Sequence, residues 1–201
     1  LINSGQSCIA AKRFIVVEPV REKFERLFVG KMRAHKTGDP LDESVTVGPM
    51  ARDDLRRDLH SQVGRSIAQG AKLLLGGELP AGRGFFYPPT VLTGVRKGIA
   101  AFDEETFGPV AAIISARDEA EAIALANDSP FGLGAAVFTR DLARGERIAT
   151  HELQAGSCFV NAQVASDPRL PFGGIKDSGH GRELSSFGIR EFVNVKTVSV
   201  K

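Results

Sequence analysis

The segment VAAIISARDEAEAIALANDSPFGLGAAVFT, residues 110–139, decides the fold class because it passes from strand to helix and back to strand. VAAIIS, residues 110–115, is a continuous apolar run with the length of a buried strand. In the following RDEAEAIALANDS, Asp118 is placed to cap a helix. GAAVFT, residues 134–139, is a second apolar strand. Strands joined through a helix form a crossover connection, which predicts parallel pairing.

The same alternation continues on both sides of this segment. Upstream, KRFIVV (12–17) and AKLLLGG (71–77) predict strands, and downstream GSCFVN (156–161) predicts another. Helices are predicted after Pro19, where Val20, Phe24, Leu27, Phe28 and Met32 recur at helical spacing, and over 51–70, where the apolar positions are Leu55, Leu59, Val63 and Ile67. The prediction is therefore an α/β fold with a mainly parallel twisted sheet covered by helices on both faces.

The last residues follow a different pattern. VNVKTVSV, residues 193–200, alternates apolar and polar positions as a half-exposed strand does. We predict a main domain over residues 1–192 and a separate strand over residues 193–201 that pairs with another sheet or another subunit.

Composition and charge exclude several classes of protein. The chain has 201 residues, 42% hydrophobic and 25% charged, with a formal net charge of +2, so no strong field favours nucleic acid or an anionic membrane. No apolar run is long enough for a membrane helix. Cys8 and Cys158 lie far apart without CxxC or Cys/His clusters, which argues against a disulfide framework and against a metal site. A reducing, cytoplasmic location is expected.

Cys8 has two interpretations on these grounds. It follows the polar turn NSGQS, residues 3–7, and backbone N–H groups at such a junction can stabilise a thiolate or an oxyanion. A small buried thiol without a function would fit the same sequence. A catalytic pair of Cys8 with a histidine would have to form through folding, because no histidine lies near Cys8 in the sequence. None of the four histidines lies in a sequence context that indicates this role: His35, His60, His151 and His180.

Two further motifs leave alternatives open. DEETFGPV, residues 103–110, has two interpretations. It is either a solvated acidic turn, or a segment in which one carboxylate holds ribose hydroxyls and the following aromatic residue packs against a flat ring. LPFGGIKDSGHGRE, residues 170–183, is either a structural loop or a place where backbone closely approaches another group.

Taken together, the motifs resemble a known family. NSGQSC, KRFIVV, GPM, FFYPPTV, EETFGPV, NDSPFGLGAAVFTRD, AGSCFVN and PFGGIKDSGHGRE occur in the order and spacing of the C-terminal half of the NAD(P)-dependent aldehyde dehydrogenases, over essentially the whole chain. The resemblance implies that Cys8 is the nucleophile of the GQxC motif. Its thiolate would form a thiohemiacetal with the aldehyde, and a thioester after hydride transfer to NAD or NADP.

The resemblance also assigns roles to other residues. Glu105 matches the acid that holds the nicotinamide ribose, and Phe107 matches the aromatic residue near the nicotinamide. Phe159 and Ser166 fall on the segment that lines the substrate tunnel. The tail, residues 193–201, would pair with a neighbouring subunit in a homodimer or homotetramer.

Within the family, GSCFVN, SDPRLPFGG and SGHGRELSSFGIREF look like bacterial succinate-semialdehyde dehydrogenases. A polar side chain at Ser166 suits a substrate that carries a carboxylate, so succinic semialdehyde is the expected aldehyde. Arg169 either adds positive charge beside that substrate or forms a structural ion pair.

The family's general-base glutamate, its oxyanion-hole asparagine and its Rossmann-like cofactor domain all precede the GQxC motif. Since the sequence begins at LINSGQSC, we expect a piece of a longer protein that does not oxidise aldehydes alone. The rival hypotheses are an inert, self-associating domain and a thiol hydrolase that uses Cys8.

Overall fold

A computed structural model describes all 201 residues as two compact units, residues 1–125 and 126–201. A short 3-10 helix at Ile2–Gly5 precedes the regular elements. In the first unit these are β1 (Arg13–Val17), α1 (Glu18–Arg33), α2 (Asp53–Ala68), β2 (Lys72–Leu75), β3 (Thr90–Thr93), α3 (Ala100–Asp103), β4 (Val110–Ala116) and most of α4 (Glu119–Asn127).

The first unit contains a four-stranded sheet in the order β1-β4-β3-β2. β4 pairs in parallel with β1, with Arg13 opposite Ala112, and in parallel with β3, with Thr90 opposite Val110. β2 runs antiparallel to β3 along the edge. The predicted sheet is thus confirmed as mostly parallel, with one antiparallel edge strand. The expected pairing of VAAIIS with GAAVFT was wrong, because residues Gly134–Val137 pair with Ser157–Val160 in a separate two-stranded sheet.

Both faces of this sheet are covered, as alternate residues of β4 show. Val110, Ala112 and Ile114 belong to a buried cluster that also contains Leu59 and Val63 of α2 and Phe102 of α3. Ala111 and Ile113 belong to a second buried cluster, which contains Met32 of α1 with partly buried Phe24 and Phe28 packed against it. Burial on both faces explains why the strand VAAIIS is continuously apolar instead of alternating.

The strand order brings two distant loops together. The segment that contains Cys8 leads into β1, and the segment that contains Glu105 leads into β4. Because β1 and β4 are adjacent and parallel, both loops lie at the amino ends of paired strands.

The second unit contains β5 (Phe131–Gly132), β6 (Gly134–Val137), α5 (Leu142–His151), β7 (Ser157–Val160), β8 (Ile175–Lys176) and α6 (Ser185–Arg190). β6 and β7 pair in parallel, and β5 and β8 pair antiparallel. Gly145 lets α5 approach this sheet, since an added Cβ there would lie 2.7 Å from Cγ1 of Val160. Residues 193–201 form no helix or strand in the single chain, so their pairing with another subunit stays a prediction.

The sequence patterns located the helices and strands well but misjudged some of the buried faces. Asp118 accepts a hydrogen bond from the Glu121 N–H at 2.9 Å, which confirms the predicted cap of α4. The predicted apolar faces were partly wrong, because Val20, Leu27 and Ile67 are 50%, 53% and 39% exposed. None of the helices has the length and apolar character needed to cross a membrane.

Candidate active site

Cys8 follows a turn with unusual backbone geometry. Asn3, Ser4 and Gly5 have φ of 50°, 54° and 75°, all in the left-handed region. Such conformations cost free energy for residues with a Cβ and persist where surrounding contacts stabilise them. Cys8 itself is exposed and forms no disulfide bond.

Side chains of the turn attach it to the loop that follows α1. The Ser4 hydroxyl donates to the Gly48 carbonyl at 2.9 Å, and the Gln6 side-chain oxygen accepts from the Ala51 N–H at 3.0 Å. Within the turn, the Asn3 amide donates to the Gln6 carbonyl at 2.9 Å. The polar residues before Cys8 therefore stabilise its left-handed turn.

Gly5 brings this turn into contact with the segment before β4. A Cβ on Gly5 would lie 2.2 Å from the Gly108 carbonyl oxygen, and φ at Gly5 is positive. Both facts require glycine at this position. The loop that contains Cys8 is thereby packed directly against the EETFGP segment.

Contacts from α2 hold the backbone of Glu105. The Gln62 side-chain N–H donates to the Glu105 carbonyl at 3.2 Å and to the Glu104 carboxylate at 3.0 Å. Arg65 binds the two oxygens of Glu104 at 2.6 and 2.7 Å and holds the pKa of that carboxyl below its usual range. Glu104 is thus a structural acid, whereas Glu105 is exposed.

Glu105 and Phe107 suit the cofactor group that the resemblance implies. The Glu105 carboxylate makes no hydrogen bond or ion pair within the chain, so its oxygens are available to hydroxyl donors. The nearby Phe107 ring is 38% exposed, which leaves part of its surface for a flat ring. An exposed carboxylate beside an accessible aromatic ring fits a ribose with an attached nicotinamide.

Lys12 belongs to this cluster and was missed by sequence reasoning. Its ammonium donates to the Gly5 carbonyl at 2.6 Å and lies 4.9 Å from the centroid of the Phe107 ring. It also interacts electrostatically with Glu105 and Cys8. No local pattern marks such a lysine, because two of its partners, Glu105 and Phe107, lie on a segment about ninety residues away that is brought near by the pairing of β1 with β4.

The two histidines of the first unit have partners other than Cys8. Nδ1 of His35 lies 3.0 Å from the Thr46 hydroxyl, and Nδ1 of His60 lies 3.2 Å from the Tyr87 hydroxyl. The first unit therefore forms no Cys–His pair of the kind that a thiol hydrolase requires.

The second unit places Phe159 in a cleft of about 290 Å³, which Asp167, Leu170 and Phe172 also line. Ser166 is exposed and does not line this cleft, although its neighbours Ala165 and Asp167 do. Arg169 makes a two-point ion pair with Asp167, at 3.0 and 2.6 Å. Of the two interpretations of Arg169, the structure thus supports the structural ion pair.

Comparison with known proteins assigns the chain to one enzyme family. The model of the aldehyde dehydrogenase family matches residues 1–198, so the chain belongs to the aldehyde dehydrogenase family. The resemblance carried by the GQxC and EETFGP motifs is confirmed at the level of the family.

Two relatives show which enzymes of the family the chain is similar to. The chain is 54% identical to the NAD(P)+ succinate semialdehyde dehydrogenase of Escherichia coli (strain K12) over 98% of its own length and 42% of that protein. It is 48% identical to the NADP(+) succinate-semialdehyde dehydrogenase of Mycobacterium avium (strain 104), over 98% of this chain and 41% of that one. The chain thus spans about two fifths of these relatives.

Among solved structures, the chain resembles the succinic semialdehyde dehydrogenase of Streptococcus pyogenes in complex with NADP+. The TM-score is 0.94 and the identity 37%, covering 98% of this chain and 43% of that one. At this level of similarity the α/β fold predicted from the sequence is confirmed as the aldehyde dehydrogenase fold.

Proposed function

We propose that the protein is an NAD(P)-dependent dehydrogenase that oxidises succinic semialdehyde to succinate, with Cys8 as its nucleophile. The observation that carries this proposal is the exposed Cys8, on a turn packed against the Glu105–Phe107 segment. It is supported by relatives that are named succinate-semialdehyde dehydrogenases. We place the enzyme in the cytoplasm, as a homodimer or homotetramer.

The chemistry of Cys8 follows from its position. The Cys8 thiolate attacks the aldehyde carbon, a C–S bond forms, and the carbonyl oxygen becomes an alkoxide that a backbone N–H of the turn can stabilise. NAD or NADP, when bound, supplies the hydride acceptor. Water then attacks the resulting thioester, the C–S bond breaks, and succinate leaves with the thiol restored.

Other residues of the chain bind and orient the reactants in this proposal. Glu105 holds the ribose hydroxyls of the cofactor, and Phe107 packs against its nicotinamide. Phe159 and Ser166 contact the substrate, with the small polar Ser166 leaving room for its carboxylate.

The proposal is tested in the enzyme of the full length of its relatives. We expect kcat/KM for succinic semialdehyde to exceed that for butanal, which has a methyl group in place of the carboxylate, by at least about tenfold. Cys8→Ala should lower kcat by on the order of 10³-fold or more while NADP+ still binds, because only the nucleophile is lost. The 201-residue chain alone should show no oxidation.

Cys158→Ala is the matched control for the loss of a thiol. The Cys158 thiol contacts the Ala155 carbonyl at 3.9 Å, and burial raises its pKa, which disfavours the reactive thiolate form. Turnover that survives Cys8→Ala, or equal kcat/KM values for the two aldehydes, would overturn the proposal.

A further inference from the structure

Lys12 joins the two ends of the segment that contains Cys8. It is the last residue before β1, is half-buried, and its ammonium donates to the Gly5 carbonyl at 2.6 Å. Gly5 precedes Cys8 and Lys12 follows it, so this hydrogen bond closes a loop with the thiol in its middle. A charge-assisted hydrogen bond of this length restricts the loop more strongly than a neutral one.

The same ammonium connects this loop to the EETFGP segment. It lies 4.9 Å from the centre of the Phe107 ring, within the range of a cation–π interaction. Gly5, whose carbonyl it binds, is itself packed against the Gly108 carbonyl. Lys12 thus touches the segments of both functional motifs.

Two titratable groups face the Lys12 ammonium, the Cys8 thiol on its own loop and the Glu105 carboxyl on the adjoining segment. Burial lowers the pKa of Lys12 to about 8, although the charges of Glu105 and Cys8 act in the opposite direction. The positive charge beside Cys8 can therefore be removed within an experimentally accessible range of pH.

We propose that Lys12 is a positioning residue for Cys8: it closes the turn onto the Glu105–Phe107 segment and presents one positive charge to the thiolate and to carboxylate-bearing reactants. This inference rests on the proposed function, in which Cys8 is the reacting group. It adds that the site favours reactants that carry a negative charge. The positive charge attracts anionic reactants more than neutral ones. Cys8 should therefore react faster with an anionic reactant than with a neutral one of similar structure.

The test compares two reagents that alkylate Cys8 with loss of iodide, anionic iodoacetate and neutral iodoacetamide. Both react with the thiolate, so the ratio of their rates cancels the fraction of thiol that is ionised. Rates are measured at Cys8 by mass spectrometry of its peptide. In the unmodified protein the ratio of the iodoacetate rate to the iodoacetamide rate should fall by about fivefold as the pH rises through about 8, where the Lys12 charge is lost.

Substitutions separate charge from structure. Lys12→Met should give a low ratio at every pH, whereas Lys12→Arg should keep a high ratio to higher pH, because a guanidinium stays charged. Lys23→Met removes one exposed lysine of α1 and should behave like the unmodified protein.

A ratio that is independent of pH in the unmodified protein would overturn the inference without any substitution, as would a Lys12→Met ratio equal to that of Lys23→Met. Neither result would touch the proposed function, which fails instead if aldehyde oxidation survives the loss of Cys8.

Discussion

Tyr87 is the single tyrosine of a chain without tryptophan. It is completely buried, and its hydroxyl lies 3.2 Å from Nδ1 of His60. Burial raises the pKa of Tyr87 from 10.0 to about 12, because the phenolate would lose its hydration. Any tyrosine signal from the 201-residue chain therefore reports on one buried position in the first unit.

We expect the ultraviolet absorbance of phenolate to appear near pH 12 in the folded protein and near pH 10 in denaturant. The raised pKa means that the neutral phenol stabilises the folded state fully below pH 10, and that this stabilisation is lost as the pH rises towards 12. Tyr87→Phe should abolish the signal and flatten the dependence of unfolding free energy on pH in this range. Coincident titrations in both states would contradict the burial of this hydroxyl.

At the scale of elements, α2 shows where a sequence pattern stops predicting burial. Leu55, Leu59, Val63 and Ile67 are four residues apart, and each such step exceeds a full helical turn by about 40°. After three steps Ile67 has rotated about 120° from Leu55 and is exposed, while Ser66 has turned inward and is completely buried.

The buried Ser66 has a structural role at the start of α3. Its hydroxyl accepts from the Ala101 N–H at 2.9 Å and donates to the Gln62 carbonyl at 2.7 Å. Gln69 similarly accepts from the Ala100 N–H at 2.9 Å. The first N–H groups of a helix have no partner within it, so α2 supplies the cap that α3 lacks.

Ser66→Ala should therefore lower the free energy of unfolding by about 1–3 kcal/mol, because it leaves the Ala101 N–H buried without a partner. Urea denaturation followed by Tyr87 fluorescence measures the change. Ser61→Ala, at an exposed position of the same helix, is the matched control and should change stability little. Equal effects of the two substitutions would show that the contact with α3 contributes nothing.

The sequence predicted elements better than it predicted the contacts between them. Strands such as VAAIIS and the cap at Asp118 depend on neighbouring residues, so local pattern was sufficient. Cys8, Glu105 and Phe107 came from motifs that resemble a family. Lys12 could be found only from the fold, because its contact with Phe107 depends on the pairing of β1 with β4.

At the scale of the whole molecule, the tail combines exposed apolar side chains with the lack of a partner. Val193, Val195, Val198 and Val200 are 57%, 90%, 74% and 91% exposed, and these residues form no strand in the single chain. Valines in such an arrangement are commonly covered by a second chain.

In a protein of the full length of its relatives, removal of residues 193–201 should reduce the mass of the assembly measured by light scattering, because the proposed pairing between subunits is lost. Removal of Lys201 alone keeps the valines and serves as the control. An unchanged mass after the longer deletion would exclude the tail as an element of assembly.

The strand order β1-β4-β3-β2 has a further consequence for the continuity of the chain. Residues 79–84 form an exposed connection between β2 and β3. A single cut after Arg83 would leave β1 and β2, the outer strands, on one piece and β3 and β4, the inner strands, on the other. The pairings of β1 with β4 and of β2 with β3 both join one piece to the other. The peptide that contains Cys8 and the peptide that contains Glu105 would therefore stay associated through strand pairing after the cut.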